Sequence, residues 1–94
     1  MNYSEYIVVY DITLARERRK VDKICKGYGR RIQKSVFECA LRRRDKKNLI
    51  EELNTLDIKT GFVKIYRLEY PSDTPVIGKP PENCPDNDSP AFIV

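Results

Sequence analysis

Ninety-four residues, 40% of them hydrophobic, make one small domain, and a core of that size buries only about 60 to 65% of the surface that the unfolded chain exposes. Lys and Arg (18) outnumber Asp and Glu (14) for a net charge of +4, and histidine is absent, which removes the usual side chain for proton transfer near neutrality, for zinc ligation and for activating a Ser or Cys nucleophile. No run nears the roughly 20 apolar residues of a membrane span, and Met1-Asn2-Tyr3-Ser4-Glu5 lacks the basic region and apolar stretch of a secretion signal, so a cytoplasmic protein with no membrane contact is expected.

Tyr6-Ile7-Val8-Val9-Tyr10-Asp11-Ile12 is an aliphatic and aromatic run that reads as a buried strand closing on one carboxylate. A helix is predicted from Leu14 to Tyr28: Thr13 is its candidate N-cap, Leu14, Val21, Ile24, Cys25 and Tyr28 share a face, and Gly29 supplies the stop. The other side carries Arg16, Arg19, Lys20, Lys23 and Lys26, more like charge than Glu17 and Asp22 can pair within the helix.

Arg31 to Arg42 then reads as extended chain, with Ser35, Phe37, Cys39 and Leu41 on one side and Val36, Glu38 and Ala40 on the other; a short strand near Arg30 to Gln33 can precede it. Asp45 suits the cap of a second helix with an apolar stripe of Leu49, Ile50, Leu53 and Leu56. Lys59-Thr60-Gly61 ends that helix ahead of a strand from Phe62 to Glu69. The order β-α-β-β-α-β, with an antiparallel sheet and both helices on one face, is the ferredoxin-like plan of the α+β class.

From Pro71 onward the chain holds all six prolines, so residues 71–94 are expected as an extended C-terminal arm beside a nucleic-acid-binding domain of residues 1–70. Two apolar islands in the arm, Val76-Ile77 and Ala91-Phe92-Ile93-Val94, suit adding a strand to the sheet of a partner subunit; the alternative is a frayed, solvated tail. Cys25, Cys39 and Cys84 match neither a zinc ligand set nor a CxxC pair and read as packing thiols.

Charge is concentrated. From Arg16 to Lys47 there are fourteen cations against Glu17, Asp22, Glu38 and Asp45, and that stretch includes Arg42-Arg43-Arg44 and Lys46-Lys47. Residues 1–70 hold 17 basic and 10 acidic groups (+7), whereas residues 71–94 hold 1 and 4 (−3). A polyanion surface therefore belongs to the first seventy residues, and nucleic acid is the partner such a field suits. The absence of a glycine-rich ligand loop argues against a regulatory domain for a small metabolite.

Tyr10-Asp11-Ile12 closing the first strand, the basic helix after it, and Arg31-Ile32-Gln33-Lys34-Ser35-Val36-Phe37-Glu38 entering the hairpin resemble the small CRISPR-associated endonuclease, the second ("Cas two") protein of the spacer-adaptation machinery. The resemblance covers residues 5 to about 70. It implies a homodimer in which Asp11 and its copy face each other across a twofold axis and hold Mg²⁺ (or Mn²⁺), making Asp11 both the metal ligand and the catalytic residue. It implies contact with nucleic acid at Tyr10, Arg18, Lys20, Arg31, Ser35 and Phe37, with Arg16 or Arg19 able to replace Arg18 or Lys20; the cluster Arg42, Arg43 and Arg44 joins these on charge alone. Phe37 shares its strand side with Ser35, Cys39 and Leu41, which favours a core position over a stacking platform. An Asp before a helix can also serve only as a turn or cap residue.

Two functions from different classes follow. In one, a metal-dependent endonuclease cleaves phosphodiester bonds in RNA or DNA and takes part in spacer acquisition with the adaptation integrase. In the other, a non-catalytic dimeric adaptor bridges integrase subunits and grips duplex DNA through its phosphates. Dependence on Asp11 separates them.

Overall fold

The computed structural model of the chain describes residues 3–69 and 74–79. Its elements follow the predicted order: β1 (Ser4–Ile12), α1 (Ala15–Lys26), β2 (Arg30–Gln33), β3 (Val36–Leu41), α2 (Arg43–Asn54) and β4 (Gly61–Leu68). The four strands form one antiparallel sheet in the order β2-β3-β1-β4, so each half of the chain wraps its helix over a strand contributed by the other. This is the ferredoxin-like α+β arrangement.

Strand β1 alternates instead of being buried on both sides. Tyr6, Val8, Tyr10 and Ile12 are buried under the helices, while Ile7 and Val9 are half-buried and Asp11 is exposed on the opposite face. The period of two puts adjacent residues on opposite faces, and the pairing registers carry the division across the sheet. Val8 lies opposite Phe37 and Ile65 on the covered side; Ile7 opposite Glu38 and Tyr66, Val9 opposite Val36 and Lys64, and Asp11 opposite Phe62 on the open side.

The covered face meets Val21 and Cys25 of α1 and Leu49 and Leu53 of α2, with Phe37, Cys39 and Leu41 from β3. Cys25 and Cys39 are thus the packing thiols expected, and burial pushes them up to about 12 and about 11. Cys84 lies outside the described residues.

Several boundaries differ from the sequence expectation. Helix α1 begins at Ala15 with Leu14, not Thr13, in the N-cap position, and it ends at Lys26 with Gly27 as C-cap. Gly29 is needed for another reason: a Cβ there would stand 2.2 Å from the Glu38 carbonyl oxygen, so only glycine lets the chain turn closely under β3. The extended stretch from Arg31 to Arg42 divides at Lys34 and Ser35 into two strands with a bulge in their pairing. Asp45 sits one turn inside α2, and its carboxylate accepts the Arg42 N–H at 3.3 Å. Helix α2 stops at Asn54, ahead of Lys59-Thr60-Gly61.

In the arm, residues 74–79 form neither helix nor strand and Ile77 is 91% exposed. The island at residues 91–94 lies outside the described residues. No described helix is long and apolar enough to cross a membrane.

Candidate functional site

The end of β1 is fixed from three directions. Gly61, opposite Ile12 at the start of β4, approaches so closely that a Cβ would fall 1.9 Å from the Asp11 carbonyl oxygen. The Glu17 carboxylate accepts the backbone N–H groups of Lys59 (2.8 Å) and Thr60 (3.1 Å) and the Thr60 hydroxyl. Thr60 in turn accepts the Leu14 N–H on its Oγ1 at 3.1 Å and the Thr13 N–H on its carbonyl at 3.0 Å. The two N–H groups just ahead of α1 are therefore tied to Thr60 from across the fold, and the N-cap residue makes no side-chain capping hydrogen bond. These hydrogen bonds stabilise the ionised form of Glu17, the Thr60 hydroxyl first, and hold its carboxyl below the usual carboxylate range.

Arg18 completes the clamp, donating from Nη1 to the carbonyls of Ile12 (2.8 Å) and Thr13 (2.7 Å). Beneath it, the Tyr10 hydroxyl lies between the Asp22 carboxylate, to which it donates, and the Lys34 carbonyl at 3.0 Å. The other Asp22 oxygen takes the Arg31 guanidinium at 2.5 Å, and that guanidinium lies over the Phe37 ring, 5.4 Å from its centre. Burial first, and Asp22 second, hold the Tyr10 phenol well above its ordinary value, so it remains a neutral hydrogen-bond donor across the physiological range.

A cleft of about 440 Å³ opens beside this network, and Tyr10, Asp11, Arg18, Arg19, Arg31 and Ser35 are among its walls, together with Asp22. Six of the residues singled out in the sequence thus meet at one place. Arg16 and Lys20 are exposed on α1 outside that lining. Ser35 contributes its carbonyl to the fold, accepting the Tyr10 N–H at 3.1 Å. Phe37 corrects the expectation of nucleic-acid contact: its ring is fully buried, beyond the reach of a base, and its part is to support Arg31. The Arg42–Arg44 cluster lies at the opposite end of the sheet, because Leu41 pairs with Ser4 and not with the Asp11 end of β1.

Asp22 and Thr60 went unrecognised in the sequence. Asp22 looked like one acid diluting a basic helix face, and nothing local tied it to Tyr10 or Arg31. Thr60 reaches Glu17 over 43 positions, a distance that no short motif spans.

Among the described residues no three acidic, Cys or His side chains come together. Asp22, the other carboxylate on the cleft, is committed to Tyr10 and Arg31. Among the described residues one copy therefore offers this cleft the exposed Asp11 carboxylate alone. Magnesium typically uses one or two carboxylates, with water and substrate phosphate completing an oxygen shell, and a second copy of Asp11 would bring the donor set to that number.

A four-stranded α+β domain with an exposed acid at the end of its first strand, beside a cation-walled cleft, defines a small ferredoxin-like protein suited to an anionic ligand. The chain belongs to the family of CRISPR associated protein Cas2, whose model matches residues 4–74. Over 65 residues it is 40% identical to the CRISPR-associated endoribonuclease Cas2 1 of Chloroflexus aurantiacus, covering 67% of this chain and 70% of that one. Among solved structures it is similar to the hypothetical protein TT1823 from Thermus thermophilus (31% identity, TM-score 0.76, 86% of this chain and 98% of that one). It is also similar to Streptococcus pyogenes Cas2 (26% identity, TM-score 0.67, 79% and 99%).

Proposed function

We propose that the protein acts in CRISPR adaptation as a homodimeric, metal-dependent endonuclease on phosphodiester bonds of RNA or DNA, working with the adaptation integrase. One observation carries the reading: Asp11 stands at the end of the same open sheet face that bears an apolar stripe without a covering element among the described residues. That stripe includes Ile7, Val9 and Val36, all half-buried, with Phe62 52% exposed and Tyr66 48% exposed. An exposed apolar patch rimmed by polar residues is what a partner covers, and a second copy packed face to face would bring its own Asp11 to the first. The name endoribonuclease borne by the Chloroflexus relative agrees with cleavage.

In this reading the two Asp11 carboxylates would hold Mg²⁺ or Mn²⁺. When bound, such an ion supplies Lewis acidity toward a phosphodiester and its attacking water. The chain's own residues do the rest. Arg19, exposed on the cleft wall, pairs with a substrate phosphate. Arg31, braced by Asp22 and Phe37, presents its remaining donors toward charge developing on the phosphate. Arg18 and Glu17 keep the strand end from shifting.

The second reading, a dimeric adaptor that grips duplex DNA without cutting, is favoured by the excess of exposed cations that need no help from Asp11. Cleavage of labelled RNA and DNA by purified Asp11→Asn protein in Mg²⁺ or Mn²⁺ decides between them. We expect nucleic-acid binding retained and cleavage lost, whereas cleavage that persists would remove the catalytic role.

A further inference from the structure

The end of the sheet away from Asp11 carries a groove of about 810 Å³. Three of its walls are cationic and come from two elements: Arg43, the first residue of α2, and Lys46, one turn along; and Arg67 from β4. Tyr3, Tyr6 and Leu41 form the rest of its surface with Ser4, and no acid is among them. Among the described residues none of the three cations is in an ion pair. The nearest carboxylate on α2, Asp45, turns back to the Arg42 N–H. Lys46 instead lies over the Tyr6 ring at 5.3 Å and Arg42 over Tyr3 at 5.4 Å, contacts that steady a cation without neutralising it.

Like charges brought together without acids repel, and the fold tolerates this only where solvent or a ligand screens them. The positive end of the twelve-residue α2 adds to the same field.

We propose that this groove is a second phosphate track, which takes the backbone of the same nucleic acid that the Asp11 end engages. The inference rests on the reading of the chain as a nucleic-acid-binding protein and adds where the polymer runs. Seven strand steps separate Ser4 from Asp11, or about 23 Å at about 3.3 Å each. Duplex rises about 3.4 Å per base pair, so some seven base pairs reach from one end to the other. A continuous polyanion satisfies both cation groups at once, which a single small anion cannot do.

The test uses the full chain, fluorescence anisotropy and hairpin-closed stems of about 5 and about 15 base pairs, shorter and longer than that span. For the wild type, the plot of log affinity against log salt is expected to steepen by about 2 to 3 on the longer stem, about one for each added phosphate contact. In the Arg43→Ala, Lys46→Ala, Arg67→Ala triple variant that steepening is expected to vanish. A variant that keeps it overturns the proposal while leaving the nucleic-acid reading intact. A wild type that binds neither stem overturns both. Arg43→Lys with Arg67→Lys keeps the charges and is expected to keep the steepening; its loss there would assign the effect to packing and count against phosphate contact. Single strands of the two lengths identify which form supplies the phosphates, and steepening with either one supports the track.

Discussion

The two ends of the sheet use charge in opposite ways. At the Asp11 end, Glu17, Arg18, Asp22 and Arg31 are all engaged inside the molecule, with Arg31 and Asp22 only 32% and 23% exposed. At the other end Lys46 lies over the Tyr6 ring, and among the described residues Arg43, Lys46 and Arg67 form no ion pair. Charges paired within the fold fix geometry and keep fewer donors for a ligand. Unpaired charges leave geometry loose and supply attraction. Cutting a bond requires the first arrangement, because a small displacement of a positioned group costs rate steeply, and holding a polymer needs only the second.

The contrast is broken most severely by removing Asp22. Asp22→Ala strips the carboxylate partner from both Arg31 and the Tyr10 hydroxyl, and hydrogen bonds to charged groups are worth about 1.5 to 3 kcal/mol each. A loss of that order in urea unfolding is expected, and in the folded variant spectrophotometric titration should find the Tyr10 phenol moved down toward its ordinary value.

Glu17→Gln should act through pH. Because the folded-state pKa of Glu17 is depressed, its stabilising contribution is present above the unfolded value near 4.5 and is lost as pH falls through the lower folded value. The wild type should therefore lose stability below about pH 4.5 more steeply than the Gln variant. Equal slopes in acid denaturation would remove the Glu17–Thr60 tie from the account.

Lys46→Ala should matter least, costing below about 1 kcal/mol, since it removes a cation over a ring and breaks no ion pair. Measured together, Asp22→Ala and Lys46→Ala sharpen the comparison: similar costs at both ends would mean that the difference is only apparent.

The element order was legible because it is written in local periods: alternation in Val36–Leu41, and a helical stripe through Val21 and Cys25 in α1 and Leu49 and Leu53 in α2. The cleft was legible in its membership, since Tyr10, Asp11 and the basic helix are near neighbours in sequence. What escaped was partnership. Thr13 read as the N-cap, yet Leu14 takes that position and Thr60, just ahead of β4, binds the N–H groups of both, a tertiary contact replacing a local rule. Arg18 read as a phosphate ligand, and its Nη1 proves to be a brace for the Ile12 and Thr13 carbonyls. The two-faced character of β1 escaped for a further reason: Ile7 and Val9 are as apolar as the residues beneath the helices, so alternation in burial left no alternation in polarity.

The claim on which the account turns is that one strand-end acid becomes a metal centre when two copies share it. Titration of Mn²⁺ into the purified protein, with the oligomeric state measured in the same sample, tests this most directly. The account predicts a dimer that takes up one ion for every two chains and loses it in Asp11→Asn. A stable monomer, or a dimer whose ion uptake is unchanged in that variant, would contradict it.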